Sequence, residues 1–373
     1  RDARPGPGGT LARLDGRLVF TGADGATRGA YRFDMKALLA AVAEPSIGRR
    51  LGGSVVTSVS SFLLYPAGAD VPQDMPLSIE FVAPPGTDIA TAFRRRGGVR
   101  YLHARDVPVS GYMVMGRMTR HAIRLSGQRA VGADGKPGPP APALLDVAVL
   151  DVPMAVPPAD LTDWIRQSAV QVSRYFRGFP VSRALLVLRP VPGANRVLRG
   201  VVISGGGPTI WLAAGTGVDR VRLFEDWRLV HELIHTGSPF LGAAGRWLSE
   251  GIAVYVQTLV HVRAGWLDER QAWRGFITRP RGLGALTGNG LASARGIGGV
   301  YWGGALFMLL ADVDIRRRTD GKKTLGDCLR GVLRAGGNSA QRWTVARVMA
   351  ACDAATGTDT MARLAARHVA KGA

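Results

Sequence analysis

The feature that most constrains the fold is a helical segment whose apolar part carries three polar side chains. Residues 221–236 have helical spacing, and His231, Glu232 and His235 lie among their apolar residues. Residues four apart on a helix lie on one face, about one turn apart. Burying polar groups without partners costs free energy, so a buried face of this kind must be paired or bound to something. The chain must therefore bring a partner to these side chains.

A second apolar segment supplies a candidate for that partner. Residues 247–262 are strongly apolar, and Glu250 lies within their first turn. Fourteen residues separate His235 from Glu250, which leaves room for a helix exit, a loop and a second helix. Glu250 could instead pair with Arg246, four residues before it, but this order of charges is the less stabilising one. The sequence therefore favours Glu250 as a metal ligand.

His231, His235 and Glu250 have the chemistry of a catalytic zinc site. Two imidazoles from one helical turn and a carboxylate can occupy three corners of a tetrahedral zinc ion, and the fourth stays open to water. Glu232 follows the first histidine and points near the open position, where it can accept a proton from water. We expect one Zn²⁺ per chain, with Glu232 as the catalytic base.

The pattern of apolar residues changes near Pro157 and Pro158. Before this point, short alternating apolar runs broken by Gly, Pro and Asp are typical of strands in a sandwich. After it, one helix and two or three strands precede a series of helices. The predicted fold is α+β, with a disordered N-terminus at residues 1–9, a β-rich domain at 10–156 and a second domain at 157–373, whose small sheet spans about 180–215 and whose helical lobe spans about 219–373.

Two segments together resemble the gluzincin branch of the zinc peptidases, in the peptidase MA-like clan, which includes aminopeptidase N and the glycyl aminopeptidases. Residues 231–235 read HELIH, and residues 247–255 read WLSEGIAVY. In the family, a loop separates HExxH from a WLxEG-type segment whose Glu is the third zinc ligand. The resemblance covers about residues 177–333. It implies a thermolysin-like zinc peptidase domain after a β-sandwich-like N-terminal domain, and hydrolysis of peptide bonds.

A third segment of the resemblance concerns Tyr301. Residues 300–305 read VYWGGA and resemble the Y-x-K-G-A segment of these families, in which the tyrosine stabilises the oxyanion. Charge that develops on a carbonyl oxygen requires a donor opposite the metal, and the resemblance implies this catalytic role for Tyr301. Gly303 departs from the family, where this position is often Lys. The alternative is that Tyr301 packs under a loop at a helix N-terminus.

The strand before the zinc helix also departs from the aminopeptidases. In relatives, a G-x-M-E-N or G-G-x-E-H strand carries a Glu that binds the free amine of the substrate. The matching segment here contains Gly205, Gly206 and Gly207 but no Glu. These glycines are our substrate-binding candidates, because a strand edge can pair with an extended peptide. Either Glu225 or Asp226 replaces the missing acid, or the enzyme is an endopeptidase.

Another departure concerns the groups that orient the zinc ligands. Thermolysin-like enzymes often place an Asp four residues after the third ligand, where it orients a histidine. That position is Val254 in this sequence. A different residue must therefore orient the histidines here.

The sequence thus predicts a zinc metallopeptidase that hydrolyses peptide bonds in a peptide or protein substrate, either aminopeptidase-like or as an endopeptidase. The missing amine-binding Glu and the changed surroundings of Tyr301 motivate an alternative. In that alternative, the protein is a non-catalytic peptide-binding module that retains a metal site.

Charge and composition add expectations about partners. The net charge of +20 suits nucleic acid or an anionic surface, but Arg is scattered along the chain without a recognised nucleic-acid motif. We therefore expect no specific nucleic acid. No run of about 18 or more apolar residues occurs, so we expect no transmembrane segment.

The two cysteines bear on the compartment. Cys328 and Cys352 could form a disulfide in an oxidising compartment or remain two buried thiols, and the sequence leaves both open. The first residue is Arg1 rather than Met. Together with the habit of the resembled family, this suggests a periplasmic or secreted protein.

Overall fold

The computed structural model describes ten stretches of the chain. They are residues 2–5, 10–14, 17–21, 29–41, 48–64, 72–96, 99–131, 137–278, 280–288 and 290–369. The strands within them are β1 (Asp2–Pro5), β2 (Thr10–Leu14), β3 (Arg17–Thr21), β4 (Gly29–Arg32), β5 (Gly48–Leu51), β6 (Ser54–Ser58), β7 (Pro76–Ile79), β8 (Asp88–Ala90), β9 (Arg94–Arg96), β10 (Val99–His103), β11 (Tyr112–Gly116), β12 (Met118–Val131), β13 (Pro137–Leu150), β14 (Arg183–Val191), β15 (Val197–Ile203) and β16 (Thr209–Gly215). The α-helices are α1 (Met35–Ala41), α2 (Pro158–Phe176), α3 (Arg220–Glu225), α4 (Arg228–His235), α5 (Arg246–Arg263), α6 (Glu269–Ile277), α7 (Pro280–Thr287), α8 (Gly304–Arg318), α9 (Leu325–Arg334), α10 (Val345–Thr356) and α11 (Thr360–His368). The strands precede the helical lobe, and the predicted α+β class is confirmed.

A five-stranded mixed sheet in the order β12-β13-β14-β16-β15 lies at the centre of the molecule. β13, β14 and β16 are parallel, whereas β12 and β15 are antiparallel strands at its two edges. In β14, Leu186 and Leu188 pack in the core shared with the helices, and Leu185 and Val187 pack in the core shared with the N-terminal strands. A strand covered on both faces needs a continuous apolar run, which is what β14 has.

Four small sheets form the N-terminal part. Their strand orders are β1-β4, β2-β3, β5-β6-β11-β8 and β7-β10-β9. The four-stranded sheet packs Val56 and Val114 against Ala148 and Leu150 of β13. The N-terminal strands therefore cover the face of the central sheet that is opposite the helices.

The disorder predicted for residues 1–9 is wrong for part of that segment. Asp2–Pro5 is strand β1, which pairs antiparallel with β4. The prediction of disorder was based on the Pro- and Gly-rich composition of this segment, but backbone pairing holds Asp2–Pro5 as a strand. The rest of the segment, residue 1 and residues 6–9, lies outside the described residues.

The predicted domain boundary between residues 156 and 157 cuts through the central sheet and is corrected here. β13 pairs in parallel with β14 from Leu144 to Val149, and α2 forms the crossover between them. A parallel pair needs such a crossover, so residues on both sides of the predicted boundary belong to one unit. The sheet therefore begins at Met118 rather than near residue 180.

The Pro-rich segment at residues 133–143, expected to be a loop, contributes to β13 from Pro137 onward. Up to Ala143 the strand pairs with β12, and its pairing with β14 starts only at Leu144. Proline lacks a backbone N–H, so a strand tolerates it where one of its sides forms no hydrogen bonds to a neighbouring strand. The prolines therefore occupy the half-paired part of the strand.

The helix predicted over residues 221–236 is two helices, α3 and α4, with a turn at Asp226. The Asp226 carboxylate accepts a hydrogen bond from the backbone N–H of Arg228 at 2.8 Å and pairs with its guanidinium at 2.6 Å. An Asp side chain that binds the backbone two residues on favours a turn over a continuing helix. This turn sets the direction of α4, which carries His231.

The helical lobe is held by packing and by one covalent link. Cys328 of α9 and Cys352 of α10 are disulfide-bonded. Of the two alternatives that the sequence left open, a disulfide or two buried thiols, the structure has the disulfide. By length and composition alone, Gly298–Arg318 could cross a membrane, but half of this apolar stretch is buried inside the molecule. Such burial is typical of a core helix.

α5 and α8 cross in direct backbone contact. A Cβ at Gly251 would lie 2.5 Å from the Cα of Gly304, and a Cβ at Gly304 would lie 2.1 Å from the carbonyl oxygen of Trp247. Only glycine permits so close an approach, because any side chain would push the two backbones apart. The crossing fixes the first turn of α5, which carries Glu250, against the core of the lobe.

The substitution Gly251→Ala is expected to lower the free energy of unfolding by about 1–3 kcal/mol, because its methyl group overpacks the crossing. Urea unfolding followed by circular dichroism measures this loss. Gly284→Ala on α7 is the matched control, since a Cβ there would meet no atom within 4 Å. Alanine favours helix over glycine, so the control should be neutral or stabilising. Equal losses in the two variants would contradict the role of the crossing.

Candidate metal centre

Three potential ligand atoms converge where α4 faces α5. The Nε2 atoms of His231 and His235 lie 3.2 Å apart, and Glu250 Oε2 lies 3.1 Å from the first and 3.5 Å from the second. His231 and His235 come from one turn of α4, whose apolar residues Leu229 and Leu233 are fully buried and hold the helix in place. The three residues form the one group with metal-ligand geometry found among the described residues.

The spacing of these atoms fits a tetrahedral zinc ion. Zinc bonds of about 2.0–2.1 Å at tetrahedral angles place neighbouring ligand atoms about 3.3 Å apart. The three separations of 3.1, 3.2 and 3.5 Å surround this value. Two imidazoles and a carboxylate are also a donor set that zinc prefers at catalytic sites. The residues that the sequence predicted as ligands therefore have both the chemistry and the geometry for this ion.

The protonation states of His231 and Glu250 favour metal binding. Burial lowers the pKa of His231, which keeps its imidazole neutral. Burial alone would raise the pKa of Glu250, but the hydrogen bonds and charges of His231 and His235 outweigh it and hold that pKa well below its usual range. A neutral imidazole and an ionised carboxylate are the forms that bind metal, so little proton release is needed at these two residues.

Two side chains that the sequence analysis missed orient the histidines. The Nδ1 of His231 lies 2.9 Å from Gln257 Oε1, and the Nδ1 of His235 lies 3.3 Å from Ser249 Oγ. A hydrogen bond at Nδ1 fixes the ring and leaves Nε2 free for a metal. Gln257 lies two turns after Glu250 on the same face of α5, and that spacing is the sequence signal that could have identified it.

Glu232 lies beside the ligands in a confined position. It is 7% exposed, and burial raises the pKa of its carboxyl group to about 7. A Cβ at Gly200 of β15 would lie only 2.5 Å from the Glu232 Cγ. The glycine therefore leaves the space that this carboxylate occupies at the edge of the central sheet.

Tyr301 approaches the site from the lobe. It lies in a π-helical turn, Gly298–Gly303, that precedes α8, and its ring stacks on the His231 ring at 5.9 Å between centroids. π-Helical turns occur often at functional sites. Burial and the charge of Glu250 raise the pKa of Tyr301, so its hydroxyl stays protonated and can donate a hydrogen bond. At Gly303, a Cβ would lie 3.0 Å from the Leu291 side chain, and this tight packing suits the glycine found here.

The five residues surround an open cleft of about 1070 Å³. His231, Glu232, His235, Glu250 and Tyr301 all line it. The structure therefore brings together the catalytic and metal-binding residues that the sequence predicted. The other walls come from the edge strand β15, the loop after α4 and helix α6.

The assignment of Gly205, Gly206 and Gly207 to substrate binding is corrected by the structure. They lie in the turn after β15, where Gly206 and Gly207 have φ of 76° and 130°. A Cβ at each would meet Val109, Phe93 or Ala92 of the N-terminal part. Positive φ suits a turn between strands rather than a strand that pairs with a peptide. The cleft is lined instead by β15 itself, from Leu198 to Val202.

The two acids considered as replacements for the amine-binding Glu differ in their surroundings. Asp226 is engaged by Arg228 in the turn before α4. Glu225 is exposed at the cleft and has no ion pair among the described residues. Of the two, Glu225 is the one free to meet a ligand.

Gln257→Leu is expected to weaken zinc binding about 10–100-fold, because His231 loses the group that orients its ring. Competition with a chromogenic chelator measures the affinity without any activity assay. Gln271→Leu is the matched control, since Gln271 lines the same cleft and is not a partner of either histidine. If both variants keep the wild-type affinity, Gln257 does not orient the ligand.

Comparison with known proteins adds support for the fold. No protein-family model and no curated protein matches the sequence. An aminopeptidase N family protein from Idiomarina loihiensis is structurally similar, with a TM-score of 0.64 and 14% identity over 98% of this chain and 66% of that one. A mutant of a two-domain M1 zinc metallopeptidase, bound to L-arginine, has a TM-score of 0.52 and 13% identity over 100% of this chain and 84% of that one. The chain thus has the fold of these proteins, and it spans just under two thirds of the length of the first.

Proposed function

We propose that the protein is a zinc-dependent metallopeptidase that hydrolyses peptide bonds. The observation that carries this proposal is the convergence of three ligand atoms, separated by 3.1–3.5 Å, beside Glu232 and Tyr301 in an open cleft. The gluzincin-like fold also supports it. A structural metal site would need a fourth protein ligand and no cleft, whereas a catalytic one keeps a position open.

The residues around the site have separable tasks in this reaction. When bound, zinc supplies a Lewis acid that polarises a carbonyl oxygen and lowers the pKa of a water molecule to about 7. Glu232 accepts a proton from the attacking water and delivers it to the leaving amine. Burial raises the pKa of Glu232 to about 7, which suits a group that both accepts and donates a proton. Tyr301 donates a hydrogen bond to the oxygen on which negative charge develops.

The edge strand β15 is the proposed binding site for the peptide backbone. β15 pairs with β16 on one side, and its other edge lines the cleft. An extended peptide can add to such an edge as a further strand. Arg199 of this strand lines the cleft, close enough to Glu232 for its charge to act on the carboxyl group. Because Arg199 is a cation, it does not attract the positively charged free amine of a peptide. We therefore propose that the enzyme cleaves within a peptide chain. If it instead removes only N-terminal residues, Glu225 is the proposed ligand of the free amine.

A periplasmic or secreted location is also proposed. The disulfide between Cys328 and Cys352 supports it, because disulfides persist mainly in oxidising compartments. Fractionation of cells that produce the protein tests this location.

Glu232→Gln is expected to keep about one zinc ion per chain and to lose peptide hydrolysis by about 10²–10⁴-fold, because the proton acceptor is removed while the ligands remain. Metal analysis and digestion of a peptide library with free and acetylated N-termini measure the two properties. Glu225→Gln, at the same cleft, is the control and should still cleave acetylated peptides.

The library also decides between the alternatives. Wild-type protein that binds zinc and cleaves no peptide would overturn the peptidase proposal and favour a non-catalytic peptide-binding module. Cleavage of peptides with free amines alone would overturn the proposal of cleavage within the chain.

Tyr301→Phe is expected to lower kcat by about 10²–10³-fold with little change in KM, because the lost hydrogen bond is strongest in the transition state. Steady-state kinetics on a peptide cleaved by the wild type measure both constants. The ring that stacks on His231 is retained in this variant, so zinc content should not change. A rise in KM alone would instead place Tyr301 in substrate binding.

A further inference from the structure

A cluster of four arginines lies outside the cleft, where the N-terminal strands meet the central sheet. Arg95 of β9 is directly opposite Arg100 of β10 in the strand register. Arg120 of β12 and Arg183 of β14 approach from the central sheet and share the carboxylate of Asp146. We call Arg95, Arg100, Arg120 and Arg183 the arginine cluster.

The arginine cluster has more positive charge than its surroundings balance. Asp146 pairs with Arg183 and lies 3.8 Å from Arg120, and it is the one carboxylate that forms ion pairs with the cluster in the described part of the chain. Arg95 and Arg100 make no ion pair with any described residue. Like charges directly opposite on neighbouring strands destabilise a sheet. Four cations and one anion leave an excess of positive charge at this junction.

Hydrogen-bond donors in the cluster are also unused. The Nε atoms of Arg100 and Arg183 are buried and have no hydrogen-bond partner. Burial and then the charges of Arg95 and Arg120 lower the pKa of Arg100, which reflects the same repulsion. The Arg100 guanidinium lies over the Phe81 ring at 5.2 Å, so it is held in place rather than free to leave. A buried donor without a partner costs about 1–3 kcal/mol, and an acceptor that reaches it recovers this cost.

Scattered arginine, the general property of this sequence, does not account for the cluster. Several exposed arginines elsewhere pair with carboxylates: Arg220 pairs with Asp160 and Asp163, and Arg318 pairs with Asp359. The cluster instead places two exposed arginines, Arg95 and Arg120, beside the partly buried Arg100 and Arg183, with one acid among them. A further anion would balance part of this charge.

We propose that the arginine cluster binds a phosphate-type oxyanion, either free phosphate or the phosphate of a larger molecule such as a lipid headgroup. The planar guanidinium fork matches phosphate oxygens with paired hydrogen bonds. The anion would join Arg95 and Arg100 of the N-terminal part to Arg120 and Arg183 of the central sheet. Binding therefore stabilises the junction between these two parts of the molecule.

The test is thermal unfolding of the full chain with inorganic phosphate or with chloride at equal ionic strength. Phosphate is expected to raise the Tm of the wild type, and calorimetric titration gives its Kd. Arg95→Gln should raise the Kd at least about tenfold, since it removes one charge-assisted contact. Without phosphate, the same variant should have a Tm equal to or above that of the wild type, because the repulsion of Arg100 is relieved. A merely structural arginine would give a lower Tm under both conditions.

Arg174→Gln on α2 is the matched control, because this exposed arginine changes the net charge equally and its one described side-chain partner is Gln171. Its response to phosphate should equal that of the wild type. Equal effects of phosphate and chloride, or an unchanged phosphate response in both Arg95→Gln and Arg100→Gln, would overturn the proposal.

Vesicles separate the two sources of the anion. Sedimentation with phosphatidylglycerol vesicles, compared with phosphatidylcholine vesicles, measures binding to a lipid phosphate. Binding that is lost in Arg95→Gln and retained in Arg174→Gln identifies the headgroup as a source. Phosphate binding without such vesicle binding identifies the free anion. Neither readout depends on peptide cleavage.

Discussion

The burial of polar side chains between α4 and α5 is the constraint on which the structure of the candidate site depends. His231 is 2% exposed and sits among fully buried leucines, so its imidazole must have partners inside the protein. Glu250 and Gln257 meet the two nitrogens of this ring, and both come from α5. The position of α5 is in turn fixed by its backbone contact with α8 at Gly251 and Gly304. The same contact places the π-helical turn of Tyr301 over the site. The same helices, α4, α5 and α8, therefore both pack the lobe and set the geometry of the site.

Local spacing made the convergence of His231, His235 and Glu250 predictable from the sequence. Two histidines at i and i+4 lie on one helical face whatever the rest of the fold does, and Glu250 follows in the next apolar helix. The helices after Pro158, and the two or three strands that precede most of them, were predicted for the same reason, since each has its period in a short stretch of sequence. The break at Asp226 escaped this reasoning, because one side chain that binds its own backbone ends a helix without altering the apolar period around it.

The pairing of strands that are distant along the chain could not be predicted from the sequence. β12 and β13 have the alternation of the earlier strands, and only their pairing with β14, across the whole of α2, places them in the central sheet. The substrate-binding glycines were misplaced for a related reason. A run of three glycines suggests a strand edge open to a peptide, but positive φ at Gly206 and Gly207 makes it a turn against the N-terminal part. At the cleft it is Gly200 whose missing side chain leaves room for Glu232. A single glycine in a strand does not indicate from the sequence which residue it will contact.

Net charge is a poor guide to partners because it averages over arginines in different surroundings. At the cleft, Arg228 is paired with Asp226 and Arg246 lies 3.8 Å from Glu250, so much of the positive charge there is balanced. In the arginine cluster, Asp146 pairs with two of the four guanidinium groups, and two buried nitrogens of the cluster have no partner. Both regions contribute to the same total of +20, although their arginines differ in how far carboxylates balance them. The free energy available to an incoming anion depends on those unpaired groups rather than on the sum. The net charge of the chain therefore does not say where an anion would bind. The structure gives the arginine cluster, at the junction between the N-terminal strands and the central sheet, as the candidate site.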